Sequence, residues 1–157
     1  LLLNNKSMIV RLASVFSEYG NNFIKTIIKL ILSKRKIEVV SDQLISISSA
    51  KDFADNLNYL ISLYLRNIDN SKNRVIHFTN KGFTTWYDVA KVVLEEIKKD
   101  RKNVNCELIP IKSKNWISDA KRPKDSRLFV NFPFLEENNI FLTNWEDSVR
   151  KTVNKML

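Results

Sequence analysis

Tyr87 and Lys91 have the spacing that most directly suggests chemistry, because residues four apart on a helix lie side by side. A phenol held beside an ammonium can transfer a proton to a substrate. The same two residue types also occur four apart by chance on many amphipathic helices, and no upstream strand and glycine loop would bring a reactive group to this pair. We interpret the spacing as accidental, and we predict no catalytic residue in this chain.

The sequence also gives little support for a metal site or for a pair of acid–base residues. His77 is the single histidine, and no cysteine or acidic residue lies at metal-ligand spacing beside it, so we predict a structural role. The pairs Glu95–Glu96 and Glu136–Glu137 are adjacent in sequence and therefore point in different directions on a helix. We interpret each pair as solvated surface. No metal site is predicted.

Glycine is scarce, with only Gly20 and Gly82 in 157 residues. A dinucleotide-binding loop needs three closely spaced glycines, for its turn, for approach to the pyrophosphate and for helix packing. We therefore expect no cofactor-binding residues here and no bound cofactor for the isolated chain.

Residues suited to binding lie at two positions. Asn21 and Asn22 follow Gly20 at a predicted helix start, where side-chain amides can meet a sugar hydroxyl or a phosphate, although a plain N-cap is the simpler interpretation. Arg122, between Lys121 and Lys124 in a proline-containing loop, can grip a phosphate with two hydrogen bonds. Trp86, Trp116 and Trp145 are most simply core or packing residues, but Trp116 lies in the same irregular stretch and could stack on a base or a sugar.

Composition restricts the classes of partner. The net charge of +9 would suit nucleic acid, but the basic residues are dispersed and abundant Asn, Ile and Lys are typical of AT-rich coding DNA, so we predict no nucleic-acid partner. No apolar run approaches the roughly 18 residues of a membrane span, and we expect a cytoplasmic protein without a membrane partner. Cys106 alone can form neither an internal disulfide nor a zinc site.

Hydrophobic periodicity predicts alternating strands and helices, and hence an α/β fold. The predicted strands are Met8–Leu12, Ile37–Val40, Arg74–Phe78 and Val104–Ile111, the last with Cys106, Leu108 and Pro110 on one side. The predicted helices begin at Asn21 or Asn22, at Ser48 or Ser49, at Thr85 and at Thr143, and a helical turn is possible at Leu135–Asn138. In the second helix, Phe53, Ala54, Leu57, Leu60, Ile61, Tyr64 and Leu65 are expected to form one apolar stripe. Thr85 with Asp88, and Thr143 with Glu146, read as capping boxes.

Several of these segments, in this order, resemble the C-terminal half of the dTDP-4-dehydrorhamnose reductase family, in the extended branch of the short-chain dehydrogenases. The similar segments are Ile9-Val10-Arg11, Gly20-Asn21-Asn22-Phe23, Val39-Val40 with Asp42-Gln43, His77-Phe78, Thr85-Trp86-Tyr87, Arg122-Pro123 and Ser126-Arg127-Leu128. The resemblance covers nearly the whole chain. It implies an incomplete Rossmann-type sheet with a small substrate-binding lobe, forming a single domain over residues 1–157.

The family reduces the 4-keto group of a dTDP-4-dehydro-6-deoxy sugar with NADPH or NADH, on the route to dTDP-L-rhamnose. Its glycine loop and Tyr-x-x-x-Lys pair lie N-terminal to the matched region, so the resemblance implies that the cofactor-binding Rossmann part is absent here. The chain starts at Leu1 and its first methionine is Met8, inside a predicted strand, which also favours a missing upstream segment. We expect the chain to be a fragment of such a reductase or a split-gene partner for one. Alone it should be inactive, and hydride transfer would require a separate cofactor-binding Rossmann chain.

The resemblance assigns dTDP-sugar binding to Asn21, Asn22, Gln43 and Arg122. The chain departs from the family at Ser14, where the family has a tryptophan, at Ile45, where it has a glycine, and at Asp125, where it has an asparagine. If the loop kept the glycine conformation, Ile45 would be strained. A non-catalytic binding or regulatory module of the same fold, like the regulatory subunit of methionine adenosyltransferase, or a vestigial product, stays the alternative. An oligomer is possible.

Overall fold

A computed structural model describes residues 7–66, 75–116, 120, 122–137 and 139–157. The helices are α1 (Phe23–Ser33), α2 (Ala50–Arg66), α3 (Trp86–Asp100), α4 (Phe132–Glu137) and α5 (Trp145–Asn154). The strands are β1 (Ile9–Arg11), β2 (Val15–Phe16), β3 (Lys36–Val40), β4 (Leu44–Ile45), β5 (Ser48–Ser49), β6 (Val75–His77), β7 (Thr84–Thr85), β8 (Glu107–Ile111) and β9 (Asp125–Ser126). The predicted α/β class is confirmed. Arg74, Lys121 and Asn138, which entered the predictions, lie outside the described residues.

The strands form several small sheets, in most of which the pairing is parallel. β1 pairs with β6, β2 with β5 and β3 with β8, all parallel. In the fourth sheet, β4 lies between antiparallel β7 and parallel β9. Parallel strands need crossover connections, and helices supply them here. The partial sheets agree with the incomplete Rossmann-type architecture that the sequence predicted.

Two hydrophobic clusters hold these layers together. The first joins α1, α3 and α5 over β3, and Ile24, Val93, Ile97 and Val149 are almost fully buried in it. The second lies under α2 and β6, around Leu60 and Phe78. Met8, Val10 and Leu12 are only partly buried against this second cluster. β1 therefore lies at the more exposed edge of the second cluster.

Local capping explains where the helices begin. The side chain of Asn22 accepts a hydrogen bond from the Lys25 N–H, and that of Thr85 accepts one from the Asp88 N–H, as predicted. The predicted Thr143 box is wrong. Asn144 caps α5 instead, since its Oδ1 accepts from the Glu146 N–H at 3.0 Å, while the Thr143 carbonyl accepts from the Lys81 N–H at 2.9 Å.

The buried face of α2 differs from the predicted stripe. Asn56, Leu60 and Leu63 are buried, whereas Leu57, Ile61 and Leu65 are exposed on another side of the helix. Asn56 tolerates burial because its Nδ2 donates to the Asp52 carbonyl at 2.8 Å. The stripe was predicted from hydrophobicity alone. It was wrong because polar Asn56 lies on the buried face of α2 and apolar Leu57, Ile61 and Leu65 lie outside it.

Two further expectations are corrected. Glu96, interpreted as solvated, is buried because Lys99 and Arg150 both reach its carboxylate. In the predicted strand Val104–Ile111, Cys106 is buried but Pro110 is exposed, lying opposite Val39 in the β3–β8 ladder. Across the described residues, the structure contains no helix that is both long and apolar enough to cross a membrane.

Candidate functional site

A cavity of about 760 Å³ lies along α1 and β3 and reaches past the ends of β3 and β8. Its apolar wall comes from α1, β3 and the start of α3, through Phe23, Ile27, Leu30, Ile37, Val39 and Trp86. Its polar groups come mainly from segments that follow β3 and β8, and they are Gln43, Ser113, Lys114 and Arg122. In open α/β sheets, ligands bind beyond the carboxyl ends of the strands, which is where these polar groups gather.

The two segments beyond the strand ends are bonded to each other. The Asp42 carboxylate accepts the Ser113 N–H at 2.7 Å and the Ser113 hydroxyl at 3.2 Å. Hydrogen bonding from the Ser113 backbone, with a further contribution from its hydroxyl, lowers the pKa of Asp42 although partial desolvation opposes it. Ser41 adds a second tie, since its N–H donates to the Ile111 carbonyl at 3.0 Å. The two segments that supply the polar groups of the cavity are thus fixed to each other at the ends of β3 and β8.

An aromatic pair forms part of the apolar wall of the cavity near the start of α1. The rings of Phe23 and Trp86 lie 4.7 Å apart at an interplanar angle of 54°. Each follows its N-cap, Asn22 and Thr85, so the two helix starts place the rings together. A smaller apolar cavity of about 90 Å³ lies against the same two rings and is lined also by Ser14 and Val15.

The structure separates the four predicted binding residues into two pairs. Gln43 and Arg122, 79 positions apart by their numbers, both line the cavity. The side chain of Asn22 is engaged at the start of α1, where its Nδ2 donates to the Ser17 carbonyl at 2.8 Å. Asn21 is exposed, and neither asparagine lines the cavity. Sugar binding by all four residues stays a prediction.

Other site residues were missed or left open. Asp42, Ser113, Lys114 and Glu38 were not singled out, although Asp42 and Ser113 each follow a predicted strand, a position that could have drawn attention. Trp116, for which both stacking and packing were considered, lines the cavity with its side chain about half exposed.

Departures from the family pattern have structural accounts. Ile45 lies in β4, is 2% exposed and does not have a positive φ, so the strain considered for it is not found. Ser14 has φ 42°, in the left-handed region that non-glycine residues rarely occupy. Asp125 binds Arg127 through two hydrogen bonds of 2.9 and 2.6 Å, and these hold the pKa of Asp125 at about 2.

His77 has contacts of the structural kind that was predicted. Its Nδ1 lies 2.7 Å from the Phe129 carbonyl oxygen, and its Nε2 lies 3.4 Å from Arg11 Nη1. The first contact joins β6 to the segment around Phe129. Among the residues that the structure describes, no group of three or more histidine, cysteine or acidic side chains is placed to hold a metal ion.

Solved structures share the fold of this chain. A dTDP-4-dehydrorhamnose reductase from Bacillus anthracis, solved in complex with NADP, superposes with a TM-score of 0.73 at 29% identity, covering 99% of this chain and 50% of its own. A UDP-galactose 4-epimerase superposes with a TM-score of 0.65 at 17% identity, covering 94% of this chain and 44% of its own, which shows the fold alone. The fold is that of part of an extended short-chain dehydrogenase.

The family follows from the sequence comparison. The model of the RmlD substrate binding domain matches residues 2–157, and the chain belongs to that family. The dTDP-4-dehydrorhamnose reductase of Escherichia coli K12 is 29% identical over 152 residues, which are 96% of this chain and 50% of that protein. The chain thus spans about half the length of the curated relatives it matches.

Proposed function

We propose that this chain is the substrate-binding part of a dTDP-4-dehydrorhamnose reductase and that it binds a dTDP-sugar in the 760 Å³ cavity. The observation that carries the proposal is that Gln43 and Arg122, chosen from separate motifs, line one cavity beyond the ends of parallel strands. The family match supports it, because the relatives that the chain matches bear that enzyme's name.

The chemistry of the cavity suits a ligand with an anionic and an apolar part. Arg122 can bind diphosphate oxygens with paired hydrogen bonds, and Lys114 can add a second positive charge. Gln43 offers an amide that both donates and accepts, as a sugar or ribose hydroxyl requires. The wall from Phe23 to Leu30 gives the apolar surface that usually dominates such pockets.

We infer that the residues described by the structure do not form a cradle for the nicotinamide cofactor of the intact enzyme, NADPH or NADH. Gly20 precedes α1 with φ 62°, and Gly82 lies against Trp145, so the two glycines do not form a phosphate-binding loop. We therefore expect hydride transfer to require a cofactor-binding part outside these 157 residues, and the chain alone to be inactive.

Two surfaces are suited to that missing part. β1 pairs with β6 on one side, and the structure describes no strand on its other side. Leu57, Ile61 and Leu65 recur every four residues on α2 and remain exposed. An α/β half, whether in the same polypeptide or in a separate Rossmann chain, would extend the sheet at β1 and cover the α2 stripe.

Calorimetric titration of the folded chain with dTDP and dTDP-rhamnose tests the proposal. We expect saturable binding that Arg122→Ala weakens about tenfold or more, the loss usual for a charged hydrogen bond. Arg101→Ala is the matched control, because Arg101 lies at the exposed end of α3 and does not line the cavity. A folded chain that binds neither ligand would contradict the proposal and favour a non-catalytic regulatory module.

A further inference from the structure

Trp116 lines the cavity with its side chain about half exposed. It follows a single 3-10 turn, Ser113–Asn115, and its N–H donates to the Ser113 carbonyl at 3.1 Å. Trp145, by comparison, is 7% exposed and packs in the core. An exposed indole on a cavity wall offers a flat apolar face to a ligand.

The turn that carries Trp116 is anchored rather than free. Asp42 holds Ser113 through two hydrogen bonds, and Asp42 itself follows β3 directly after Ser41, which is bonded to Ile111. The indole is therefore attached within three residues to a point fixed between the two strands of the ladder. A platform held in this way loses little conformational freedom when it binds a ligand.

Positive charges lie on both sides of Trp116 along the chain, and they line the same cavity. Lys114 belongs to the 3-10 turn, and Arg122 follows in the loop that returns toward β9. A nucleoside diphosphate presents a planar base and a diphosphate at a short distance from each other. Proteins that hold single-stranded nucleic acids stack bases on aromatic side chains beside positive charges, and the same two contacts suit a nucleoside diphosphate.

We propose that Trp116 is the platform on which the nucleobase of the ligand stacks, with Asp42 as the residue that positions it. The inference rests on the proposed function, since it assumes that the cavity takes a nucleoside diphosphate. Stacking accepts any base with a π-face, so this contact selects nucleotides over base-free phosphates and discriminates weakly between thymine and uracil.

The test uses the folded 157-residue chain, calorimetric titration with dTDP and UDP, and displacement of bound dTDP by inorganic pyrophosphate. Trp116→Leu is expected to weaken dTDP and UDP binding about 10- to 100-fold, and Trp116→Phe to restore most of it. Pyrophosphate, which has no base, is expected to displace dTDP from Trp116→Leu at concentrations lower than the wild type needs, by the factor that dTDP affinity fell.

Each outcome decides between the two proposals. Wild-type binding that Trp116→Leu leaves unchanged overturns the stacking role while the proposed function stands. Equal losses in Trp116→Leu and Trp116→Phe, or an intrinsic pyrophosphate affinity that falls as far as that of dTDP, also overturn it. Failure of the folded wild type to bind dTDP overturns both. Thermal unfolding of each variant confirms that the half-exposed substitution leaves the fold intact.

Discussion

Arg150 Nη1 lies 2.6 Å from Glu96 Oε1, and the Glu96 side chain is only 4% exposed. The contact joins α5 to α3, and Lys99 reaches the same oxygen at 2.6 Å from the surface side. Burial opposes the charged form of Glu96, but the hydrogen bonds from Lys99 and Arg150 together outweigh it and lower the pKa of that carboxyl. The two helices are therefore joined by a buried carboxylate that depends on its cations.

Removing the Arg150 guanidinium should lower the stability of the fold. Arg150→Met leaves the Glu96 carboxylate with Lys99 as its remaining cation, and we expect the free energy of unfolding to fall by about 2–3 kcal/mol, somewhat less than for a fully orphaned buried charge. Urea denaturation followed by circular dichroism measures it. Adding Glu96→Met should recover much of the loss, while Arg101→Met, at an exposed pair, should change stability by less than about 0.5 kcal/mol. A double variant as unstable as Arg150→Met would contradict this account.

Asp125 should titrate far below an ordinary aspartate. Its two hydrogen bonds from the Arg127 side chain, and one from the Arg127 N–H, stabilise the charged form and hold its pKa at about 2 rather than 3.8. Because the folded pKa is depressed, the stability that this contact contributes is present above about pH 4 and is lost as the pH falls toward 2. Carboxyl-carbon NMR titration measures the midpoint. A value near 3.8, or one unchanged by Arg127→Ala, would contradict the contact.

Asp42 should matter for binding through Ser113. Asp42→Ala removes both acceptors from the turn, so we expect dTDP affinity to fall several-fold and the emission of Trp116 to shift as its turn loosens. Asp42→Asn keeps one acceptor for the Ser113 N–H and should retain most of the affinity. Titration calorimetry and tryptophan fluorescence provide the two measurements. Equal affinities for Asp42→Ala and the wild type would show that the anchor has no part in binding.

The two glycines should respond differently to alanine. At Gly82 a Cβ would lie 2.9 Å from Trp145 Cδ1, and φ is 91°, so Gly82→Ala should lower the free energy of unfolding by about 2–3 kcal/mol or more. At Gly20, φ is 62° but no atom lies within 4 Å, so Gly20→Ala should cost about 1 kcal/mol. Thermal and urea unfolding of both variants test the difference. Equal losses of stability would mean that the Trp145 side chain shifts away from the added methyl group at little cost.

Local signals predicted more of this molecule than long-range ones. The caps at Asn22 and Thr85 are set by residues within three positions, and both were correct. The cap at Asn144 was assigned one residue too early, because Thr143 with Glu146 fits the same local pattern. Burial of Glu96 depends on Arg150, 54 positions away, which no local pattern reveals.

The candidate site shows the same division. Gln43 and Arg122 were found because each belongs to a motif, and the fold brings both to the cavity. The anchor between Asp42 and Ser113 joins residues 71 positions apart and depends on the β3–β8 register, which sequence periodicity does not give. The stripe predicted on α2 failed because hydrophobicity does not tell which apolar residues a neighbouring element covers.

Pro110 limits how another strand can pair with the outer side of β8. The Glu107 N–H donates to the Arg35 carbonyl, and the Ile111 carbonyl accepts from the Ser41 N–H, so the intervening position 110 turns its backbone nitrogen away from β3. Proline has no hydrogen to donate there, and the outer side of β8 is a poor template for another strand. Strand-by-strand growth into aggregates is thus discouraged at the outer side of β8.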